Sequence, residues 1–201
     1  MTFRKHIPNI LTISRILLTP IFLLLLFSDL QHGKLFALCV FIVASLTDLY
    51  DGMMARKYDV ITRFGNFLDP IADKLLVLSA FFSFLIMPEL DVAVKMWMII
   101  LIIFRDVFVT ILRVIMELKN ITMVTSRTAK LKTTLQMIVI HLILIYLTLI
   151  SYNISFIQFL QEFKLIYLLM FITSIVTGYT GFHYLVTNYR TLRSLLREDS
   201  P

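Results

Sequence analysis

Apolar residues dominate six stretches of the chain, at approximately 8–28, 35–54, 66–87, 93–116, 129–150 and 164–187. Each is close to the roughly 20 residues that an α-helix needs to cross a bilayer. Short polar connections separate them, with no Pro/Gly-rich linker, low-complexity tract or internal repeat. The pattern predicts an all-α fold, a six-helix transmembrane bundle in which residues 1–201 form a single integral membrane domain. The first stretch follows Arg4 and Lys5 as the core of a signal peptide would. It is too long for one, however, and no small-residue cleavage site follows before Asp29, so it is expected to be retained. Pro20 lies inside it, which a membrane helix tolerates when neighbouring helices or water serve the freed carbonyl.

Basic residues then orient the bundle. Thirteen fall on one side: Arg4, Lys5, Arg56, Lys57, Arg63, Arg113, Lys119, Arg127, Lys130, Lys132, Arg190, Arg193 and Arg197. The opposite side has Lys34, Lys95 and Lys164. This bias puts both termini in the cytoplasm. Composition agrees with a membrane protein, with 59% hydrophobic and 16% charged residues and a mean hydropathy of +0.87. Those values exclude an ordinary soluble domain, and 17 Phe with so little charge exclude a disordered chain. The net charge of +6 would suit nucleic acid, but its one-sided distribution suits anionic headgroups, so membrane lipids and no nucleic acid are the expected partners. Cys39 is the sole cysteine, which rules out an internal disulfide and a cysteine zinc cluster.

Five carboxylates fall inside or at the ends of the apolar stretches: Asp48, Asp51, Asp69, Asp73 and Asp106, accompanied by Arg15, Lys74 and Arg105. An ionised side chain at a helix centre costs about 2.5–3.5 kcal/mol on insertion scales, so several together need a reason. Four of the five cluster where the second span ends and the third begins, in the order D48-x-x-D51-G52-x-x-A55-R56, eight residues, G65-x-x-x-D69-x-x-x-D73. At 100° per residue Asp48 and Asp51 lie about 60° apart, with Gly52 and Ala55 in the same arc. Gly65, Asp69 and Asp73 advance by about 40° each, forming a second stripe. Two adjacent helices can therefore point four carboxylates at one another.

Four such anions repel unless protonated or bridged by cations. Every candidate ligand is a hard oxygen, which favours magnesium, manganese or calcium over zinc. Two divalent ions would balance the four charges, and a two-metal site suits phosphoryl chemistry, clamping attacking and leaving oxygens. Taken alone, Asp69–Pro70 reads equally as a helix cap followed by proline in the first turn. Asp48 and Asp51 alone would pass as interfacial anchors. Eight specified positions at fixed separations are harder to assign to accident.

The constellation resembles the signature of the CDP-alcohol phosphatidyltransferase family, D-x-x-D-G-x-x-A-R-x(8)-G-x-x-x-D-x-x-x-D, at every position. The resemblance implies a six-helix membrane enzyme that displaces CMP from a CDP-linked lipid by an acceptor hydroxyl. It implies that Asp48, Asp51, Asp69 and Asp73 hold two Mg2+ (or Mn2+) ions, and that Asp73 also serves as the catalytic base. Gly52, Ala55, Arg56, Thr62 and Gly65 would surround the CDP part of CDP-diacylglycerol. The opening I7-P8-N9-I10-L11-T12-I13-S14-R15 resembles that of bacterial members, which adds Asn9, Thr12 and Arg15 to the CDP pocket. R105-D106 resembles their R-E pair, and K130-L131-K132-T133 with Q136-M137 resembles their G-K-x-K-T-x-x-Q-M element, with Ala129 in place of the usual glycine.

By that likeness the acceptor is glycerol 3-phosphate, its phosphate held by Arg105, Lys130 and Lys132, with Arg113 and Arg127 as further candidates. The expected setting is the bacterial inner membrane, the active site facing the cytoplasm and the chain forming a homodimer. A cardiolipin-forming member with phosphatidylglycerol as acceptor shares the opening and often has an R-D pair. A cation transporter would call for midplane sites and an inverted repeat, neither of which is evident. The remaining residues have plainer roles. His6, His32, His141 and His183 have no ligand-like spacing among themselves and read as interfacial or bundle-facing. Trp97, Tyr152, Tyr184 and Tyr189 suit aromatic belts. Asp106 reads equally as a partner of Arg105 or of a basic residue in the fifth span, or as a substrate contact.

Overall fold

A computed structural model describes the backbone of residues 7–58, 63–118, 127–154, 162 and 164–189, and the side chains of 12–47, Ala72, 74–116, 131–154, Glu162 and 164–189. Among the described residues there are six α-helices and no strand. They are α1 (Ile7–Leu26), α2 (Gly33–Tyr58), α3 (Arg63–Ile86), α4 (Met96–Leu118), α5 (Arg127–Ser151) and α6 (Leu165–Thr187), with a short 3-10 turn at Pro88–Leu90. Each coincides with one of the six apolar stretches. The largest departures are at the junction of α2 and α3, where helix runs on to Tyr58 and resumes at Arg63. Hydropathy falls there, but nothing in Asp48–Tyr58 stops a helix except Gly52, which costs only about 1 kcal/mol inside one.

Two segments, Leu131–Ser151 and Leu165–Thr187, are long and apolar enough to cross a membrane, with mean hydropathies of 2.1 and 1.7. Shorter apolar helices cover Thr12–Leu26, Gly33–Thr47 and Lys74–Ile86. The outward surface is correspondingly greasy: Leu17, Leu24, Phe104, Ile138, Phe182 and Val186 are all exposed. Lipid tails are as apolar as such side chains, so exposure to them carries little penalty, and packing and polar contacts decide which faces turn inward.

α1 packs on α2 and α3, α2 on α5, α5 on α6, α6 on α4, and α3 on both α4 and α5. The buried side of α1 reads Thr12, Arg15, Thr19, Phe22 and Leu26, one stripe at 3–4 spacing that is polar toward its start and apolar toward its end. It meets a core of Phe41, Leu76, Phe81, Phe84, Met98, Ile102 and Val139. α1 continues through Pro20, as expected of a membrane helix.

Hydroxyls buried in this core answer to their own helices. Thr19 donates to the Arg15 carbonyl at 2.9 Å, Thr148 to Leu144 at 2.8 Å and Thr173 to Leu169 at 2.7 Å. Without bulk water such groups need local partners. The connections at one end of the bundle are tied together: Lys34 pairs with Glu89, and His32 Nδ1 lies 2.5 Å from the Tyr152 hydroxyl. Partial burial would raise the Glu89 pKa, but the bond to Lys34 outweighs it and holds the carboxyl below its ordinary value. Two residues past the end of α5, Asn153 adopts the left-handed conformation (φ 53°), which asparagine tolerates better than most residues.

Of the four aromatic residues expected at interfaces, three are exposed and one is not. Trp97, Tyr152 and Tyr189 are exposed, whereas Tyr184 is buried. It follows Thr177 and Gly181 on one stripe of α6, and their small side chains bring the neighbouring helices over it. His141 faces the bundle, its Nδ1 2.7 Å from the Met137 carbonyl and its ring edge-on to Phe41. His6, Arg193 and Arg197 lie outside the described residues.

Candidate functional site

The two halves of the carboxylate motif sit on consecutive helices. Asp48, Asp51, Gly52, Ala55 and Arg56 belong to α2, and Gly65, Asp69 and Asp73 to α3, with only residues 59–62 between them. Thr62 falls in that gap, outside the described residues. Because helix is unbroken across both halves, the angular arithmetic applies: each set of Asp positions shares one face of its helix. Asp48 and Asp51 stand ten and seven residues before the end of α2, Asp69 and Asp73 six and ten after the start of α3. At about 1.5 Å per residue all four fall in one band, roughly 9–15 Å from those helix ends. The reading of Asp69–Pro70 as a cap does not hold, because α3 starts six residues before Asp69 and carries Pro70 in its interior.

The donor chemistry fits hard divalent cations. Four carboxylates from two helices supply only oxygen, and no His or Cys belongs to the set. The side chains of these four lie outside the described residues, as do those of Asn9, Gly52, Ala55, Arg56 and Gly65. Thr12 and Arg15 are described. Both are buried on the face of α1 that packs against α2 and α3, so a guanidinium charge is held between the two helices that carry the motif.

A second cluster lies beside the first, and here the side chains are seen. Asp106 of α4 is fully buried and receives three cations from three helices. Lys132 of α5, itself only 1% exposed, places Nζ 2.5 and 2.6 Å from the two carboxylate oxygens. Arg105 Nη1 donates to Oδ1 at 3.2 Å, and Lys74 of α3 approaches Oδ2 at 3.4 Å. One carboxylate cannot neutralise three cations. With every group ionised, these four side chains carry two positive charges in excess, in a setting where water screens them poorly. An excess of this kind matches a phosphate monoester dianion, and Arg and Lys supply the donors that phosphate oxygens accept.

Sequence reasoning anticipated Arg105, Lys132 and a partner for Asp106 in the fifth span. It noted Lys74 but gave it no place in this pocket. Lys74 follows Asp73 directly, and one 100° step along α3 carries the chain from the carboxylate stripe toward α4. It is the covalent link between the two clusters. Arg113 lies two turns beyond Asp106 on the same side of α4 and is half-buried. Lys130 and Arg127 occupy the opening turns of α5. Lys130 sits about 200° round the helix from Lys132, so the two stand on different faces; the side chains of Lys130 and Arg127 lie outside the described residues.

The seat of Arg105 is shaped by a helix with no Asp, Glu, Lys or Arg of its own. A Cβ added at Gly181 of α6 would stand 2.7 Å from Arg105 Cγ, and one at Gly178 3.2 Å from Leu101. The arginine stem therefore occupies the space left by an absent side chain, a close approach that only glycine permits.

The sequence model of the family described as CDP-alcohol phosphatidyltransferase matches residues 5–179. The chain belongs to that family. Membership of the CDP-alcohol phosphatidyltransferase family makes it a phosphatidyltransferase, and it takes in both clusters and all but the end of α6. The chain is similar over 182 residues, at 35% identity, to the CDP-diacylglycerol–glycerol-3-phosphate 3-phosphatidyltransferase of Rickettsia prowazekii (strain Madrid E), covering 90% of this chain and 96% of that one. The Bacillus subtilis (strain 168) protein of the same name is 32% identical over 201 residues, 94% and 98% of the two chains. A probable phosphatidylglycerophosphate synthase of Mycobacterium tuberculosis (strain ATCC 25618 / H37Rv) is 36% identical over 146 residues, 71% of this chain and 68% of that one.

Proposed function

We propose that this chain transfers the phosphatidyl group of CDP-diacylglycerol to glycerol 3-phosphate, giving phosphatidylglycerophosphate and CMP in phospholipid biosynthesis. The observation that carries the choice of acceptor is the buried excess of positive charge around Asp106, contributed by Lys74, Arg105 and Lys132. A small acceptor bearing a phosphate needs such a seat, and the near full-length likeness to relatives named for glycerol 3-phosphate supports the same reading.

In this reading all six helices span the bilayer, and the basic residues at the α2–α3 and α4–α5 junctions place that end in the cytoplasm of a bacterial inner membrane. Asp48, Asp51, Asp69 and Asp73 hold two Mg2+ or Mn2+ ions. When bound, those ions neutralise the diphosphate of the lipid donor and the departing CMP. The Asp73 carboxylate takes the proton of the acceptor's attacking hydroxyl as its oxygen forms a bond to the lipid-linked phosphorus and the bond to CMP breaks. Asn9, Thr12, Arg15, Gly52, Ala55, Arg56, Thr62 and Gly65 surround the CDP moiety, the small residues leaving room and the arginines answering its charge. The cleft between α2 and α5, about 510 Å³ and lined by Ser45, Met137, Ile138 and Leu142 among others, offers an apolar flank for the diacyl tails beside the α2 half of the motif.

Lys74, Arg105 and Lys132 hold the acceptor phosphate, while Arg113, Arg127 and Lys130 form a basic approach from the cytoplasmic side. A homodimer belongs to the same reading through the family resemblance alone. The test is CMP release by purified protein given CDP-diacylglycerol and magnesium with glycerol 3-phosphate, phosphatidylglycerol, inositol phosphate or serine. Release is expected with glycerol 3-phosphate; release with phosphatidylglycerol only would make the chain a cardiolipin-forming enzyme instead. A Gly181→Val variant should raise the KM for glycerol 3-phosphate by about ten- to a hundredfold, since a displacement near 1 Å costs that much in a preorganised site. An unchanged KM would detach Arg105 from the acceptor.

A further inference from the structure

Gln136 belongs to the same face of α5 as Lys132, one turn further into the bundle, and is completely buried. Its Nε2 donates to Thr177 Oγ1 of α6 at 3.4 Å, while its Oε1 has no hydrogen-bond partner among the described residues. Arg105 presents the complementary deficit. Its Nε is buried without an acceptor among the described residues, although its Nη1 serves Asp106. The two side chains flank one turn of α6: Gln136 reaches Thr177, and the Arg105 stem lies on Gly181, four residues along. An unanswered acceptor and an unanswered donor thus lie along the same turn of α6, both buried.

Buried polar groups are rarely left unpaired, and pairs of them commonly mark a missing partner. A hydroxyl is the small neutral group that both donates and accepts. It would take the Arg105 Nε–H and give its own proton to Gln136 Oε1. We infer that Gln136 and Arg105 Nε form a hydroxyl pocket that selects a vicinal-diol phosphate: the hydroxyl on C2 of the acceptor sits there while the phosphate rests on Lys74, Arg105 and Lys132. This inference rests on the proposed acceptor and deepens it. It leaves the hydroxyl on C1 as the nucleophile facing Asp73. Gln136 is then a specificity residue, and Thr177 is the positioning residue that fixes its amide.

The experiment compares kcat/KM for glycerol 3-phosphate and for 3-hydroxypropyl phosphate, which lacks only the C2 hydroxyl, with full-length protein, CDP-diacylglycerol and magnesium. Wild-type protein is expected to favour glycerol 3-phosphate by about ten- to a hundredfold or more, the worth of a hydrogen bond to a charged group. In Gln136→Leu the ratio should fall to within about threefold, the whole loss falling on glycerol 3-phosphate. Gln136→Met, closer in shape, and Thr177→Val, which releases the amide, reach the same ratio by separate routes if the first variant fails to fold. A merely structural glutamine would lower both activities and preserve the ratio, which overturns the inference. So would a wild-type protein that treats the two acceptors alike. Wild-type protein idle with both acceptors yet active with phosphatidylglycerol would overturn the acceptor assignment itself.

Discussion

CMP release by an Asp73→Asn variant is expected to fall by about a thousandfold or more, with the protein still inserted and helical. The substitution removes two things at once. A positioned base contributes roughly a hundred- to ten-thousandfold, and an amide is a poor ligand for a hard divalent cation, so charge neutralisation at the diphosphate suffers as well. Stability should change little, because asparagine is nearly isosteric and the position lies within an unbroken helix beside the fully buried Ala72. The measurement is single-turnover CMP release alongside far-UV circular dichroism of the purified variant. Activity within tenfold of wild type would falsify the placement of the base. Lys74, one residue on, keeps its partner Asp106 in this variant, so acceptor affinity should be almost unaltered.

Asp106→Ala is expected to fail in a different way, by unfolding more easily. Lys132 would lose both of its carboxylate contacts, at 2.5 and 2.6 Å, while staying among Arg105 and Lys74. Removing one partner of a buried ion pair costs about 3–5 kcal/mol, mostly because the remaining charge is stranded. The expected readout is a clear drop in the unfolding temperature in detergent. Lys132→Met separates stability from function. It removes a buried cation yet leaves Asp106 with two others, so the fold should hold while the KM for glycerol 3-phosphate rises by about ten- to a hundredfold, the worth of a charge-assisted bond. Combining the two substitutions should recover much of the lost stability and none of the activity. An Asp106→Ala protein as stable as wild type would mean that the cluster is not under electrostatic load.

The helices and the four-aspartate motif were legible because both are local. Hydropathy marks the helices, and a fixed 100° step per residue turns spacing into faces. What was not legible depends on which faces meet. Lys74 comes from a different helix from Asp106 and Lys132, and nothing near it in the chain says that it joins them. The neighbours of Lys130 and Lys132 look alike in sequence, yet the helix sends them to opposite sides, and the pair was read as one unit. Tyrosine favours the membrane interface, yet Tyr184 is buried. A local signal did exist, since Thr177 and Gly181 precede it at helical spacing and mark a packed stripe. Asp69–Pro70 reads equally as a helix cap or as part of the carboxylate stripe, and α3 decides for the stripe by passing through it.

Gly181 has a consequence for how this enzyme can change. α6 carries no Asp, Glu, Lys or Arg, so by inspection it is scaffolding, and its exposed Tyr179, Phe182 and Val186 are free to drift. Its inner face works as a mould, and the charge of Arg105 is cast against it. Tolerance to mutation therefore divides along a single helix by what must be missing rather than by what must be present. A lineage exploring new acceptors can move the guanidinium by filling that hollow, one carbon at a time, without touching a charged residue.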